Sequence, residues 1–272
     1  MVRRRLDAEL VRRGLATSRT AAQAAVRDGL VLVGGRTAGK PSTLVDPAEP
    51  VELIAPARRF VSRGGDKLDA ALDRFEISVN GRNALDVGAS TGGFTDCLLR
   101  RGAAHVVAVD VGYGQLAWSL RTDPHVTVLE RTNVRDVRAD ALPFAPDIVV
   151  ADLSFISLRL VVGTLAGVAT DAASFVFLVK PQFEAGRDGV GPGGVVRDPE
   201  RWADAIRGVA DACEAAGLRP VAVMASPVRG PAGNVEFLLH AVKDALDADP
   251  GVDAGLDVDT ATADALEIAR RA

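Results

Sequence analysis

Apolar residues in the first part of the chain recur at helical spacing. Leucines that can line one side of a short helix stand at Leu6, Leu10 and Leu15. Gly14 suits the C-terminal end of this helix, because glycine adopts the left-handed conformation without strain. A second helix is predicted to begin at Thr17 or Ser18, since either hydroxyl can cap its N-terminus. Its core-facing positions are then Ala21, Ala22, Ala25 and Val26.

Strand-like runs follow these two helices. Gly29 ends the second helix, and the apolar run 30–33 leads into a pair of glycines, which is typical of a strand entering a tight turn. Residues 46–60 contain three prolines and little helical period, so we predict a strand that closes a small domain. The sequence therefore predicts a small α+β domain at 1–56 and an interdomain linker at 57–64.

A regular alternation begins at Ala84. Buried strand-like runs alternate there with helical stretches, in the order NALDVGAS, HVVAVD, VTVLE, DIVVAD, SFVFLVK and PVAVMAS. This alternation predicts an α/β fold with a mostly parallel sheet that helices cover on both faces. A last run, NVEFLLHAV, fits a strand that returns antiparallel beside its predecessor. We assign this large domain to residues 65–245 and an acidic C-terminal tail to 246–272.

The charge is unevenly distributed along the 272 residues, whose net charge is −4. Residues 1–67 hold 13 Lys/Arg against 7 Asp/Glu, a net of +6, and the remainder carries −10. A basic arm on an acidic body suggests a polyanion that meets the N-terminal part first. A solvated basic face would give the same charges, so charge alone leaves both interpretations open.

Several protein classes are disfavoured by the sequence. No apolar run approaches the roughly 20 residues that span a bilayer, and no signal-peptide core follows the Arg-rich N-terminus. Cys97 and Cys213 form no metal-binding or CxxC pattern, and the three histidines are scattered. We therefore expect a reduced, cytoplasmic protein with no metal and no membrane partner. The oligomeric state is left open.

A glycine-rich segment, DVGASTGGF at 86–94, follows the first buried strand and opens a helix. Glycines there let the backbone approach a ligand, and the helix N-terminus adds positive potential. The dinucleotide pattern GxGxxG is missing, and Asp86 would place a carboxylate where a pyrophosphate must sit. The same carboxylate attracts the cationic amino-acid part of S-adenosylmethionine.

A second acid supports this cofactor. Asp110 ends the next strand, 22 residues beyond Gly88, where an acid suits a ribose diol. Together these features resemble the Rossmann-like S-adenosylmethionine-dependent methyltransferase fold. The expected cofactor contacts are Asp86, Gly88, Ala89, Ser90, Thr91, Gly92, Gly93, Phe94, Asp110 and Asp152.

The segment DLSF, which starts at Asp152, bears on the atom that receives the methyl group. Amino-directed base methylases carry Asn/Asp-Pro-Pro-aromatic at this position, and the two prolines are missing here. Cytosine C5 methylation needs a cysteine at a strand end, whereas Cys97 and Cys213 both lie on predicted helices. Both kinds of base methylation are therefore disfavoured.

Three further polar residues stand where a site can form. Lys180 ends the run SFVFLVK, Glu236 lies between apolar residues in NVEFLL, and Lys67 sits in SRGGDKL. Taken alone, each fits a surface ion pair, but with Asp152 they can converge on one pocket. In this order they resemble the Lys-Asp-Lys-Glu tetrad of the FtsJ-like ribose 2′-O-methyltransferases.

The N-terminal domain carries a second resemblance, to the S4 RNA-binding domain. The matching residues are Arg5-Leu6-Asp7, Gly14, Ser18-Arg19, Ala22, Gly29, Val31, Val33, Gly35 and Lys40-Pro41. Such domains clasp folded RNA through its backbone and shape. The expected RNA contacts are Arg3, Arg4, Arg5, Arg12, Arg13, Ser18, Arg19, Arg27 and Lys40.

Over residues 3–243 the chain looks like the TlyA family, whose members are known as haemolysin-like proteins and as rRNA cytidine 2′-O-methyltransferases. The resemblance implies S-adenosylmethionine as cofactor, and 16S or 23S rRNA or ribosomal subunits as partner. The segment Gly64-Gly65-Asp66-Lys67 departs from relatives that often have a bulkier residue before the lysine, and the departure leaves Lys67 in place.

The tetrad implies roles for its members. A ribose hydroxyl is a poor nucleophile, and we expect Lys180 to orient it, to stabilise its developing alkoxide or to accept its proton. Asp152 and Glu236 are expected to hold Lys180, and Lys67 to add positive charge near the substrate.

Two other functions are weighed against this enzyme. A membrane-active haemolysin needs an apolar span or an amphipathic membrane face, and the sequence has neither. A non-enzymatic RNA-binding assembly factor would not need the cofactor loop and the tetrad, which are both intact.

Overall fold

The chain forms two compact units, and each is described by itself. The computed structural model describes residues 3–16, 18–54, 59–186, 191–243 and 256–271. Contacts between Cα atoms divide the chain into Met1–Arg58 and Arg59–Ala272.

The boundary differs from the predicted linker at 57–64. Phe60 is buried in the core of the second unit, and the backbone N–H of Val61 donates to Asp96 Oδ2 at 2.8 Å. Residues 59–64 therefore belong to the second unit, while 57 and 58 lie outside the described residues.

The first unit is a small α+β domain. Its helices are α1 (Leu6–Arg12) and α2 (Arg19–Arg27). Its strands are β1 (Arg4–Arg5), β2 (Val31–Val33), β3 (Arg36–Thr37), β4 (Leu44–Val45) and β5 (Val51–Leu53). Strand β2 pairs antiparallel with β3 and β5, and β1 pairs antiparallel with β4.

The predicted helix cap and core of this unit are largely confirmed. Ser18 Oγ accepts from the backbone N–H of Ala21 at 3.1 Å and caps α2, whereas Thr17 lies outside the described residues. The buried residues include Leu6, Leu10, Ala22 and Val26. Ala21 is exposed, so its predicted core position is wrong. The cause is the helical turn of about 100° per residue, which points Ala21 away from the face that Ala22 buries.

The second unit is built on a seven-stranded sheet with the order β11-β12-β10-β9-β6-β7-β8. Its strands are β6 (Asn83–Val87), β7 (His105–Val109), β8 (Val126–Leu129), β9 (Ile148–Ala151), β10 (Ser174–Val179), β11 (Arg219–Ala225) and β12 (Phe237–Val242). Strands β6 to β10 pair in parallel. As predicted, β12 runs antiparallel beside β11. It also separates β11 from β10.

Helices cover both faces of this sheet, as the alternation predicts. They are α3 (Gly64–Arg74), α4 (Gly93–Arg100), α5 (Trp118–Arg121), α6 (Val162–Val168), α7 (Pro181–Glu184), α8 (Pro199–Ala215) and α9 (Val258–Arg271). Residues of α3 and α4 join one buried cluster, and residues of α6, α8 and α9 join the other. Within the described ranges, no helix is long and apolar enough to cross a membrane.

The segment predicted as an acidic tail, 246–272, contains the packed helix α9. Val258, Ala261 and Ala265 are buried in the larger core cluster. The small residues repeat at helical spacing on one side, which lets α9 lie against the body of the domain. Residues 244–255 lie outside the described residues.

The carboxyl ends of the parallel strands meet at one edge of the sheet. Val87 on β6 lies beside Val109 on β7 and Ala151 on β9. The residues that follow these three are therefore level with one another, and they are Gly88, Asp110 and Asp152. Ligands of open α/β sheets bind at such an edge.

Candidate active site

A buried carboxylate stands at the base of the glycine-rich loop. Asp86 on β6 is fully buried, and its Oδ2 accepts a hydrogen bond from Thr95 Oγ1 at 2.6 Å. Its Oδ1 has no hydrogen-bond partner among the described residues. Burial, together with the nearby carboxylate of Asp152, raises the pKa of Asp86 to about 7. A cationic ligand would satisfy this oxygen and favour the ionised carboxylate.

The loop itself is tightly enclosed. Gly88 has φ +82°, and a Cβ there would lie 2.4 Å from the carbonyl oxygen of Asp152. A Cβ at Gly93 would lie 2.2 Å from Ser62 Oγ. Side chains at these two positions would push the loop off β9 and off the segment that precedes α3, so the sequence needs glycine there.

Asp110 ties the loop to the next strand end. Its Oδ2 accepts from the backbone N–H of Ser90 at 2.8 Å, and its Oδ1 accepts from that of Gly112 at 2.6 Å. Each carboxylate oxygen can accept a second hydrogen bond, so Asp110 can also accept hydrogen bonds from the two hydroxyls of a ribose.

A cavity of about 600 Å³ opens at this edge, a size usual for small-molecule sites. The predicted residues that line it are Gly88, Ser90, Asp110 and Asp152. Asp86, Ala89, Thr91, Gly92, Gly93 and Phe94 lie outside its lining, and Asp86 and Phe94 are buried. Several other residues line the cavity that the sequence did not predict, among them Gln115, Asn133 and Phe155.

The four tetrad residues form two ion pairs. Lys180 Nζ lies 2.5 Å from Asp152 Oδ1 and donates to Ser154 Oγ at 3.1 Å. Lys67 on α3 pairs with Glu236. We expected Glu236 to hold Lys180. This expectation is wrong, because Glu236 pairs with the buried ammonium of Lys67.

The two pairs are nevertheless adjacent. Val179 on β10 pairs with Phe237 on β12 in antiparallel register. The next residue on β10 and the preceding residue on β12 are Lys180 and Glu236, which lie side by side at the same edge. The sheet therefore brings together residues that the sequence keeps far apart.

An exposed aromatic side chain lies beside this edge. Phe155 is 92% exposed and has φ +64°. Its ring centroid lies 5.3 Å from that of Phe183, and Lys180 Nζ lies 6.0 Å from the Phe183 centroid. A non-glycine residue at positive φ is uncommon, and such strain is concentrated at functional sites.

The two cysteines are on helices, as predicted. Cys97 lies on α4 and Cys213 on α8, and both are buried. Burial raises the pKa of both thiols to about 12, so neither is a ready nucleophile.

The basic residues of the first unit fall into two groups. Arg3, Arg4, Arg27 and Lys40 are exposed. Arg5 and Arg19 pair with the buried Asp7, and Arg12 and Arg13 pair with the buried Glu9.

Arg13 is held most closely. Its guanidinium donates to Glu9 Oε1 at 2.8 Å and to the carbonyl oxygens of Glu49 at 2.9 Å and Pro47 at 3.0 Å. Most of its donors are therefore used within the unit.

Comparison with known proteins identifies the family. The family model for FtsJ-like methyltransferases matches residues 60–243, and the S4 domain model matches residues 4–51. The 16S/23S rRNA (cytidine-2′-O)-methyltransferase TlyA of Mycobacterium tuberculosis is 55% identical over 87% of this chain and 89% of that protein. The chain belongs to the TlyA family of FtsJ-like methyltransferases. The predicted family, the fold class and the enzyme class are thereby confirmed.

Other relatives of this FtsJ-like methyltransferase carry haemolysin names. Hemolysin A of Brachyspira hyodysenteriae is 36% identical over 87% of this chain and 98% of that protein. A solved structure described as a candidate hemolysin from Streptococcus thermophilus superposes with a TM-score of 0.75. It is 36% identical and covers 100% of this chain and 98% of that chain.

The edge of the sheet where the cavity opens fits S-adenosylmethionine as the cofactor. Asp86, whose Oδ1 is unpaired within the described part of the chain, directly precedes Val87 and Gly88 in the cavity lining, and Asp110 of the same lining lies level with Gly88. Carboxylate acceptors and backbone N–H donors lie together here, and this combination suits a cationic amino acid joined to a nucleoside.

Proposed function

We propose that this chain methylates the ribose 2′-hydroxyl of a cytidine in 16S or 23S ribosomal RNA with S-adenosylmethionine. The observation that carries the proposal is the Lys180–Asp152 ion pair at 2.5 Å, at the sheet edge where the cavity opens. The S4 domain and the rRNA-directed relative support RNA as the acceptor. An rRNA substrate implies the cytoplasm as its place of action.

The cofactor is assigned to the glycine-rich loop. Asp86 would take its ammonium, Gly88 would let it approach the backbone, and Asp110 would accept from its ribose hydroxyls. When bound, S-adenosylmethionine supplies an electrophilic methyl group on a sulfonium sulfur. The remaining work falls to side chains that position and activate the acceptor oxygen.

Lys180 is assigned to the acceptor hydroxyl. Its Nζ can donate to the 2′-oxygen and stabilise the negative charge that develops there. Ser154 accepts a hydrogen bond from Nζ at 3.1 Å, and the ion pair with Asp152 at 2.5 Å keeps the ammonium at the sheet edge. The carboxylate beside the ammonium gives the departing hydroxyl proton an acceptor within the same pair.

Lys67 and Glu236 are assigned a supporting role. Glu236 precedes β12 and lies beside Lys180 in the sheet register. Its buried ion pair with Lys67 therefore ties this end of β12 to α3. The pair adds one positive and one negative charge close together, so its field at the substrate is small.

Phe155 and the first unit are assigned to the RNA. An exposed ring next to Lys180 can stack on an unpaired base, which is the usual way that single nucleotides are held. The exposed side chains Arg3, Arg4, Arg27 and Lys40 are assigned to phosphates.

The proposal is tested with purified protein and rRNA. Nuclease digestion and mass spectrometry should find 2′-O-methylcytidine after incubation with S-adenosylmethionine, and Lys180→Ala should yield far less in the same time. A base-methylated nucleoside would contradict the assignment. Release of a dye from lipid vesicles by the purified protein would instead support the membrane-active alternative.

A further inference from the structure

Glu184 connects the two segments that carry the proposed site. It is the last residue of α7, which follows directly after Lys180. Its Oε2 accepts from Ser157 Oγ at 2.5 Å, and its Oε1 accepts from the backbone N–H of Leu158 at 2.8 Å. Both carboxylate oxygens thus contact the segment after β9. Burial raises the pKa of Glu184.

The two segments meet along a seam, which we define as residues 152–158 against residues 180–184. One end of the seam holds the pair of Lys180 with Asp152 and Ser154. Its middle holds the contact between Phe155 and Phe183 at 5.3 Å. Its other end holds Glu184.

The middle of the seam needs support from its ends. Phe155 is at φ +64° and almost wholly exposed, so its own side chain adds little core packing. A strained residue persists only where its surroundings over-determine it. Two kinds of described contact can do so: Leu153 and Ile156 pack against the larger core cluster on either side of Phe155, and the two ends of the seam add polar contacts. Ser157 strengthens the second end, because its Oγ also accepts from the N–H of Arg159 at 3.2 Å.

We propose that Glu184 is a positioning residue for the methyl transfer, one that fixes the segment 153–158 on α7 so that Ser154 and Phe155 meet the substrate nucleotide beside Lys180. The proposal rests on the function proposed above. Glu184 acts through hydrogen bonds and not through its charge. A glutamine, which can accept from Leu158 and donate to Ser157, should replace it.

The test combines four variants with a control. Single-turnover transfer to rRNA is measured at saturating S-adenosylmethionine for Glu184→Ala, Glu184→Gln, Ser157→Ala and the double variant that combines Glu184→Ala with Ser157→Ala. The control is Glu214→Ala, which removes an exposed carboxylate on α8. Titration calorimetry gives the dissociation constant for the cofactor, and circular dichroism gives the fold.

We expect Glu184→Ala to lower the single-turnover rate at least tenfold while the cofactor dissociation constant changes less than threefold. Glu184→Gln and Glu214→Ala should stay within threefold of the wild-type rate. Ser157→Ala should be intermediate, and the double variant should be no slower than Glu184→Ala, because both residues belong to one contact. Wild-type rates for Glu184→Ala, or equal impairment of Glu184→Gln, would overturn the proposal. The proposal would also be overturned if Glu184→Ala lost cofactor affinity by the same factor as it lost rate.

Hydrogen exchange separates this proposal from the function on which it rests. The Leu158 amide should exchange at least tenfold faster in Glu184→Ala and at the wild-type rate in Glu184→Gln, whatever the acceptor is. If wild-type protein left rRNA unmethylated but showed this exchange pattern, the proposed acceptor would be wrong and the contact would stand. Unchanged exchange at Leu158 in Glu184→Ala would overturn the contact itself.

Discussion

Lys67 and Glu236 are 169 residues apart in the sequence and form a buried ion pair. Their side chains are 8% and 1% exposed, so neither charge has much water around it. A buried pair contributes little net stability compared with apolar residues, but removing one partner leaves an uncompensated charge in the interior.

This relationship predicts a strong coupling between the two positions. Lys67→Met alone should lower the free energy of unfolding by about 3–5 kcal/mol, and Glu236→Gln alone should also be costly. The double variant should be more stable than Lys67→Met, because it removes both charges together. Urea denaturation of the three proteins checks this expectation. A double variant whose loss equals the sum of the single losses would contradict it.

Lys180 is expected to decide turnover. Lys180→Ala should reduce single-turnover methyl transfer by roughly 10²–10⁴-fold with the fold retained, since electrostatic and acid–base roles are of this size. Lys180→Arg should be nearly as inactive, because the forked guanidinium places its donors and its charge differently from a compact ammonium. Arg74→Ala, which removes an exposed charge from α3, is the control. More than about a tenth of the wild-type rate in Lys180→Ala would be too much for such a role.

The strands of this chain could be predicted because each is a short, continuous run of apolar residues that is bounded by turn residues. The same pattern placed Gly88, Asp110 and Asp152 at strand ends, and in parallel strands these ends share one edge. The partner of Glu236 could not be predicted, because it depends on where α3 packs. Spacing along the chain contains no information on that contact.

Phe155 and Glu184 were missed for a related reason. Nothing in DLSFISL shows that the phenylalanine turns outward, since an apolar residue after a buried strand is usually part of the core. Glu184 follows an aromatic residue in a short helix, where a carboxylate normally faces water. Their roles follow only from the seam between the two strand ends.

Asp86 makes cofactor binding depend on pH. Its pKa is raised to about 7 in the free protein, and only the carboxylate attracts an ammonium group. The affinity should therefore fall as the pH drops below 7, by about fivefold between pH 7 and pH 6 from the shrinking ionised fraction. This range lies below the pH of roughly 7.7–8.0 at which α-amino groups of peptides titrate, and the free carboxylate of the ligand keeps its own ammonium protonated to still higher pH.

Calorimetry with S-adenosylhomocysteine, which keeps the amino acid and the nucleoside, measures this dependence. Titrations at pH 6 in two buffers of different ionisation enthalpy should show the release of nearly one proton on binding. A dissociation constant that does not change between pH 6 and pH 7 would show that another group takes the ammonium.

Phe155 should matter for RNA and not for the fold. Because the side chain is exposed, Phe155→Ala should leave the melting temperature unchanged within about a degree. Transfer to rRNA should fall by the equivalent of about 1–3 kcal/mol, the range for stacking of one base on an aromatic ring. Phe155→Trp should retain activity, and Leu160→Ala, which trims another exposed apolar side chain, should behave as wild type. Equal rates for the two alanine variants would exclude stacking at Phe155.

Arg13 and Arg27 were both expected to contact RNA, and the structure separates them. Arg13 donates to Glu9, Glu49 and Pro47, while Arg27 is exposed at the end of α2. Arg13→Ala should weaken its unit by about 1.5–3 kcal/mol, the usual worth of hydrogen bonds to a charged group. Hydrogen exchange of the α1 amides in the full chain would show this weakening. Arg27→Ala should leave that exchange unchanged and weaken RNA binding, with the salt slope reduced by about one. The reverse pattern, a lower salt slope in Arg13→Ala and faster α1 exchange in Arg27→Ala, would mean that Arg13 contacts phosphate and Arg27 supports the unit.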